Sequence, residues 1–307
     1  MRGIGVAKQI ERDLIETNKS TRVFIQYVNA SLFAVWIKPH KSRWIFYNIS
    51  KHTDVSINVD VWRIVSVWVS DLNVDSPVGS AGANRVNPVN LTISNSQWEY
   101  AIRPIGAPDF MGGFHGDELL QNVLFLADGK SVSLQGLECN KFEIVQDTLL
   151  FDPTDGTTEL AKVNVRHVFT PDGLRLISKI KWTNSTTIDL AYASMLPLQR
   201  GATITNRFRY IDKAVEHAIG STGHGVPGEN SYGLDIYNTN NKLGINMEIK
   251  PSWFNNYEHA EGRGIRVSDA SQYNKVYPTR VHSTTPEQVS EGDVWESDSF
   301  IEIWYKE

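Results

Sequence analysis

From Arg22 to its end, the chain consists of short runs in which apolar and polar positions alternate. This period of two predicts β-strands, and the runs are rich in Val, Ile, Thr and aromatic residues, as strands usually are. The runs include RVFIQYV, LFAVWIKP, RWIFYNIS, VSINVDVWRIVSVWVSDL, GLDIYN, LGINMEIKPSW and SFIEIWYKE. The pattern therefore predicts an all-β fold of stacked antiparallel sheets, a β-sandwich or β-supersandwich.

The first residues follow a different period. Ile4, Ala7, Ile10 and Leu14 recur at helical spacing, which predicts a short amphipathic helix over residues 1–20. Strand density is similar along the rest of the chain, so we expect one domain over residues 1–307, with that helix at its start.

Turn residues punctuate the strands. Pro171-Asp172-Gly173 separates two alternating runs and predicts a β-hairpin, because proline presets one dihedral and glycine accepts a positive φ. Two stretches rich in Gly, Ser, Asn and Pro, residues 73–90 and 220–233, are predicted as loops. Loops of this length are often functional, and the second is expected to border a substrate groove.

Composition narrows the class of protein. The chain has 307 residues, with 30 Lys+Arg against 35 Asp+Glu, so we expect no nucleic-acid partner. Cys139 is the single cysteine, which excludes an intrachain disulfide and a cysteine zinc cluster. No metal or cofactor motif occurs, and we expect neither.

No apolar run of membrane-spanning or signal-peptide length occurs, so a soluble protein is expected. Its location is unknown, and an extracellular or phage-associated one is compatible with these features; a homo-oligomer stays open.

The segment APDFMGGFHGDE, residues 107–118, is the richest in candidate chemistry. Its glycines permit an unusual backbone around His115, and Asp117 and Glu118 lie close enough to bias the protonation of that imidazole. We interpret it as a site loop. The alternative is an ordinary glycine-bearing turn between strands.

A second polar segment lies in QRGATITNRFRYID. Guanidinium forks beside an amide and a phenol can hold a sugar carboxylate and act on a neighbouring hydroxyl. The alternative is a cationic strand edge that resists aggregation. The candidates here are Arg200, Asn206, Arg207, Arg209 and Tyr210. Further substrate-binding candidates are Asp117 and Glu118 beside His115, His224 in the glycine-rich loop, and Arg280 and His282 near the last turn region.

Three short motifs, in order, resemble the galactose-mutarotase-like β-supersandwich, which aldose epimerases share with domains of polysaccharide lyases. They are His115-Gly116, the stretch from Thr170-Pro171-Asp172-Gly173-Leu174 to Trp182-Thr183-Asn184-Ser185, and Val289-Ser290-Glu291-Gly292-Asp293. Two departures separate the chain from the epimerases. Met195-Leu196-Pro197-Leu198 stands where they carry a second histidine, and residues 277–282 contain no counterpart of their catalytic glutamate. In its site residues the chain is more similar to the lyases.

The predicted function is therefore degradation of a polysaccharide or oligosaccharide. The leading hypothesis is a lyase that cleaves a uronate-containing capsule or exopolysaccharide by β-elimination. His115 would be the base or carboxylate neutraliser, Tyr210 the acid, and Arg207 or Arg209 with Asn206 would hold the carboxylate.

Two alternatives stay open. One is a glycoside hydrolase that pairs Asp117 or Glu118 with Glu229 or Glu261. The other is a noncatalytic carbohydrate-binding or structural module.

Overall fold

The computed structural model describes residues 20–40, 43–74, 76–78, 85–93, 98–201, 203–219, 225–229, 231–240, 242–254, 264–269 and 273–306. The helix predicted over residues 1–20 lies outside this part, apart from Ser20, which is not helical. Helical residues in the described part form three 3₁₀ turns: Val55–Ile57, Gly113–His115 and Pro251–Trp253.

The rest of the regular structure is β, as predicted. In the first half of the chain the strands are β1 Val23–Asn29, β2 Leu32–Ile37, β3 Trp44–Asp54, β4 Val59–Leu72, β5 Arg85–Asn90, β6 Ala101–Pro104, β7 Glu118–Ala127, β8 Lys130–Ser131, β9 Leu137–Cys139 and β10 Phe142–Phe151. In the second half they are β11 Glu159–Thr170, β12 Gly173–Trp182, β13 Thr186–Tyr192, β14 Leu196–Gln199, β15 Arg207–Tyr210, β16 Glu216–Ala218, β17 Gly225–Glu229, β18 Gly233–Tyr237, β19 Leu243–Ile249, β20 Gly264–Asp269, β21 Tyr273–Val281, β22 Glu287–Val289 and β23 Val294–Tyr305.

The strands of the described residues form two sheets. The larger has 16 strands, in the order β16-β15-β18-β19-β23-β12-β11-β10-β7-β4-β3-β2-β1-β9, with β5 added to β4 and β8 to β7. The smaller has seven, in the order β17-β20-β21-β13-β22, with β14 added to β21 and β6 to β13. Among the described strands the one parallel pairing joins β4 to β7, at Val59↔Glu118 and Asp60↔Leu119.

The main hydrophobic core includes residues of both sheets. Trp182 and Phe169 of the large sheet and Ile102 and Val276 of the small one are fully buried in one cluster. At about 25 cal/mol per Å² of apolar surface, burial of such side chains provides most of the driving force for stacking the sheets. A separate small cluster is formed by β1, β2 and β3 around Trp36, which is stacked on Phe46 with centroids 4.3 Å apart.

The predicted hairpin forms between β11 and β12, where Thr170 pairs with Gly173. Gly173 has a φ of 148°, and a Cβ there would lie 2.4 Å from the carbonyl oxygen of Ile301. The two predicted loops are partly strands. Arg85–Asn90 pairs with β4, and Gly225–Glu229 pairs with β20, because a neighbouring strand edge accepts their backbone hydrogen bonds despite a turn-like composition.

No helix among the described residues is long and apolar enough to cross a membrane. The same part of the chain contains no group of three or more His, Cys, Asp or Glu side chains that could hold a metal ion.

Candidate functional site

The segment that follows β6 bends into a tight turn, Gly112–Gly116, which carries His115 and is called here the His115 turn. Gly112 and Gly116 have φ values of 98° and 100°, and the N–H of Gly112 donates to the carbonyl of Gly116 over 2.9 Å. A Cβ at Gly116 would lie 2.1 Å from the carbonyl oxygen of Ile57. Only glycine fits there, so the close contact between the His115 turn and Ile57 requires Gly116.

The buried carboxylate of Glu118 holds the His115 turn in place. It accepts hydrogen bonds from the backbone N–H of Gly113 (2.7 Å), the hydroxyl of Tyr100 (2.7 Å) and the hydroxyl of Thr148 (2.8 Å). Burial raises the pKa of Glu118, while the three donors oppose the shift. The sequence predicted a substrate-binding role for Glu118. The structure instead places it in the interior, where its acceptor capacity is occupied by the protein.

His115 remains partly exposed, with 31% of its side chain accessible. Its Nδ1 lies 3.4 Å from Oδ1 of Asp109, and its ring lies 5.0 Å from that of Phe110 between centroids. Burial lowers the pKa of His115 below its ordinary value, and Asp109 opposes this shift. At neutral pH the imidazole is therefore mainly neutral and able to accept a proton.

A run of partly exposed rings, the aromatic cluster, continues from His115 over the small sheet. It consists of Phe110, His115, Tyr192 and Tyr277. The ring of Phe110 lies 5.9 Å from that of Tyr192, which lies 4.7 Å from that of Tyr277. Ring faces that remain accessible can stack on the apolar C–H faces of sugars.

The ring of Phe110, at one end of the aromatic cluster, lies against an ion pair. Arg103 of β6 donates from Nε and Nη2 to the two carboxylate oxygens of Asp189 of β13, at 3.0 and 2.6 Å. Its guanidinium carbon also lies 5.4 Å from the centroid of Phe110. This bidentate geometry fixes the arginine, and the arginine in turn limits the movement of the ring.

Two cations flank the aromatic cluster. Arg266 of β20 is the cross-strand partner of Tyr277, and Lys275 lies two residues before Tyr277 on the same face of β21. Both interact electrostatically with the cluster: Lys275 with His115, and Arg266 with Tyr192 and Tyr277. Burial lowers the pKa of Lys275 and raises the pKa of both tyrosines, so the phenols stay protonated well above neutral pH.

Behind the His115 turn lies a buried arginine. Arg63 of β4 is fully buried, and its guanidinium carbon lies 4.1 Å from the ring centroid of Phe114. The imidazole of His52 lies on the same ring, with centroids 5.1 Å apart. Burial lowers the pKa of Arg63, and the nearby carboxylates of Glu99 and Glu118 oppose this shift.

A second buried acid is paired with a histidine. Glu99 Oε1 lies 3.3 Å from His167 Nε2, and both side chains are buried. Glu99 also lines a cavity of ≈ 10 Å³, together with Ser178, Ser194 and Ser297. A space of this size holds about one water molecule and is far too small for a sugar ring. This pair therefore belongs to the interior.

The second polar segment does not join the His115 turn. Tyr210 is fully buried, and its hydroxyl donates to the carbonyl of Ile265 over 2.9 Å. Arg207 and Arg209 alternate with it along β15, so their side chains lie on the opposite face of the sheet, paired with Glu216 and Asp235. Strand alternation thus separates the tyrosine predicted as the acid from the arginines predicted to hold the carboxylate.

The remaining candidates occupy separate surroundings. Asn206 donates from Nδ2 to Thr239 over 2.5 Å. Arg280 donates to the carbonyl of Trp253 and to Glu287, and lies over the ring of Trp295. Those contacts engage the guanidinium of Arg280 within the protein and leave 12% of the side chain accessible. His224 lies outside the described residues.

Three candidates are partly exposed. Asp117 accepts from Asn58 Nδ2 over 3.3 Å, and burial raises its pKa. The Nδ1 of His282 lies 3.1 Å from the hydroxyl of Thr284, and burial lowers its pKa, with Arg266 adding to the shift. Arg200 follows β14 directly. Of these, His282 is linked to the aromatic cluster through Arg266.

Sequence reasoning did not single out Tyr192, Lys275, Arg266 or Arg63. For Arg63 a signal was present, because it is the one cation within the long apolar run that became β4. Tyr277 was noted only for lying where the resembled epimerases carry their glutamate. Nothing in the residues around Tyr192, Lys275 and Arg266 indicates a role, because their role depends on strand pairing in the small sheet.

Comparison with known proteins gives structural neighbours but no sequence family. No protein-family model matches the chain, and no curated protein sequence matches it. YeaD from Salmonella typhimurium aligns at a TM-score of 0.45 and 9% identity over 92% of this chain and 94% of that one. A galactose mutarotase-like protein from Clostridium acetobutylicum aligns at a TM-score of 0.44 and 7% identity, over 92% of this chain and 98% of that one. The α-galactosidase from Lactobacillus brevis aligns at 0.44 and 9%, over 93% of this chain and 39% of the enzyme. At TM-scores below 0.5 these similarities assign neither a family nor an activity to this protein.

Proposed function

We propose that this protein binds an acidic carbohydrate on the aromatic cluster and cleaves it by β-elimination. The observation that carries the proposal is the run of accessible rings from His115 to Tyr277, flanked by two cations. Aromatic rings suit the apolar faces of sugar rings, and cations suit a uronate carboxylate. The side chains of one small region thus supply both kinds of contact.

The chemistry needs three groups, and each has a candidate near the cluster. Lys275 or Arg266 neutralises the carboxylate, which makes the C5 proton of the uronate more acidic. His115, mainly neutral at neutral pH, accepts that proton. The hydroxyl of Tyr277 or Tyr192 protonates the leaving oxygen at C4 as the C4–O4 bond breaks. The product carries a C4=C5 double bond, and solvent restores both protonation states.

Of the catalytic residues predicted from the sequence, this assignment keeps His115 and replaces Tyr210, Arg207 and Arg209. Tyr210 cannot reach a substrate from its hydrogen bond to Ile265 without leaving the core, so Tyr277 or Tyr192 takes the place of the acid. Lys275 and Arg266 take the place of Arg207 and Arg209, which are held by carboxylates on another face.

The hydrolase alternative receives less support from the described residues. Glu118 is already the acceptor of three protein donors, and a general acid or base needs a free oxygen toward the substrate. The side chain of Glu229 and all of Glu261 lie outside the described part.

The test is incubation with a panel of uronate-containing polysaccharides, followed by near-ultraviolet absorbance and by assay of reducing ends. β-Elimination produces both an unsaturated, absorbing end and a reducing end. Reducing ends without absorbance would indicate a hydrolase, and binding with neither product would indicate a binding module. Wild type, His115→Ala and Tyr277→Phe are compared, with Tyr27→Phe as an exposed control on β1. Equal product release by all four would remove the aromatic cluster from catalysis.

A further inference from the structure

Arg63 is a buried cation without a hydrogen-bonded partner in the described part of the chain. Its Nε, Nη1 and Nη2 are all buried, and none has an acceptor there. A buried guanidinium ordinarily has carboxylate or carbonyl partners, because losing its hydration is costly. A group of this kind in a native protein therefore needs an explanation, and one explanation is a ligand.

The acids near Arg63 are engaged elsewhere. Glu118 accepts from Tyr100, Thr148 and Gly113, and Glu99 faces His167. These carboxylates compensate the charge of Arg63 at longer range without filling its donor positions. The five N–H groups of the guanidinium remain available to an anion that could approach closely.

The ring of Phe114 packs on the guanidinium of Arg63. Phe114 is partly exposed and covers the guanidinium at 4.1 Å. It belongs to the His115 turn, between glycines with positive φ at 112, 113 and 116. Beside it, Nε2 of His52 is also buried without a hydrogen-bond partner among the described residues. Two unsatisfied nitrogen groups thus lie against one ring, next to the residue proposed as the base.

We propose that Arg63 binds the carboxylate of the sugar acid, which reaches the guanidinium past Phe114, and that His52 supplies a second donor to the same carboxylate. The inference rests on the proposed function and revises one contact in it: Arg63 holds the carboxylate, and Lys275 and Arg266 remain as cations that flank the rest of the acidic chain. A planar guanidinium offers two parallel N–H groups to the two oxygens of a carboxylate. A hydroxymethyl group in the same position is uncharged and has one oxygen, so it cannot match the two parallel N–H groups of the fork.

The experiment compares ligands that differ only in the acidic group. Oligogalacturonates and oligoglucuronates are titrated by calorimetry, each as the acid and as its carboxyl-reduced counterpart. The proteins are wild type, Arg63→Met, Arg63→Lys and the control Arg85→Met. Arg85 also lies over an aromatic ring, 3.9 Å from the centroid of Phe46, but in the separate small cluster.

We expect wild type to prefer the acid form. Arg63→Met should weaken binding of the acid at least tenfold and binding of the reduced form less than twofold, whereas Arg85→Met should change neither. The thermal midpoint of Arg63→Met should stay the same or rise, since an apolar side chain replaces an unpaired buried charge. If Arg63→Met does not fold, the same comparison is made with Arg63→Lys, which keeps the charge but loses the fork.

Two outcomes overturn the inference while the proposed function stands. In the first, the folded Arg63 variant binds the acid as wild type does. In the second, it loses affinity equally for both forms and melts at a lower temperature, which would make Arg63 a structural residue. If wild type binds neither form of either sugar, the proposed function fails and the inference fails with it.

Discussion

The rings of Tyr192 and Tyr277 lie 4.7 Å apart, although the two residues are distant in sequence. Tyr192 ends β13 and pairs with Thr279 across a register irregularity, so its ring meets that of Tyr277, two residues before Thr279 on β21. Bulges of this kind commonly redirect side chains near functional sites. The centre of the aromatic cluster is therefore made by a local break in strand pairing.

Removing one of these rings should weaken carbohydrate binding without unfolding the protein. Tyr277→Ala is expected to lower affinity for an acidic oligosaccharide about tenfold, because a ring stacked on a sugar contributes on the order of 1 kcal/mol or more. Calorimetric titration measures the change. Tyr27→Ala, which removes an exposed ring on β1, is the control and should bind as wild type does. Equal affinity of the two variants would separate the cluster from binding.

The pKa of His115 should respond to Asp109 with a defined sign. Burial lowers this pKa and the carboxylate of Asp109 raises it, so Asp109→Asn should lower it further. The acid limb of the pH dependence of kcat/KM should then move to lower pH, because the base stays neutral in more acidic solution. Titration of the imidazole by NMR gives the same shift without an activity assay. Glu248→Gln, which changes an exposed acid on β19, should leave the limb in place.

The lowered pKa of His115 also makes the stability of the fold depend on pH. The unfolded chain takes up a proton at the ordinary histidine pKa, near 6.5, before the folded protein does. The contribution of His115 to the free energy of unfolding is therefore complete above that pH and declines as the pH falls toward the folded-state value. Urea denaturation of wild type and His115→Ala at several pH values should show the two curves converging in acid. Parallel curves would contradict the depressed pKa.

The glycine that closes the His115 turn should not tolerate a side chain. Gly116→Ala places a Cβ 2.1 Å from the carbonyl oxygen of Ile57, and we expect a loss of at least about 2 kcal/mol of unfolding free energy. Gly129→Ala is the matched control, since Gly129 has a φ of 79° but nothing within 4 Å of the added carbon. It should cost about 1 kcal/mol from its backbone conformation alone. Similar losses in both variants would refute the contact with Ile57.

Glu118 should matter for stability more than for sugar contact. Glu118→Ala leaves the hydroxyls of Tyr100 and Thr148 and the N–H of Gly113 without their acceptor. Since each buried unsatisfied group costs about 1–3 kcal/mol, the variant should lose at least about 3 kcal/mol by urea denaturation. Glu248→Ala, at an exposed position, should stay within about 0.5 kcal/mol of wild type. A wild-type midpoint for Glu118→Ala would contradict its role as anchor.

Alternation along the chain was sufficient to predict the all-β fold and the hairpin at Pro171-Asp172-Gly173. Both depend on local rules, since side-chain period and turn chemistry act within a few residues. The glycines around His115 also marked an unusual turn correctly, and the structure shows positive φ at 112, 113 and 116. Composition was a weaker guide in the two predicted loops, where pairing with neighbouring strand edges formed β5 and β17.

The membership of the candidate site depended on tertiary structure. Alternation assigns Tyr210 and the arginines beside it to opposite faces of β15, but it does not say which face another sheet covers. Stacking of the two sheets buried Tyr210 against Ile265, and pairing of β13 with β21 brought Tyr192 to Tyr277. Apart from β5 and β17, the sequence by itself determined where the strands and the His115 turn form, because those preferences are local. Only long-range pairing and burial decided which polar side chains lie together, because contacts between distant strands have no signature in the residues around each one.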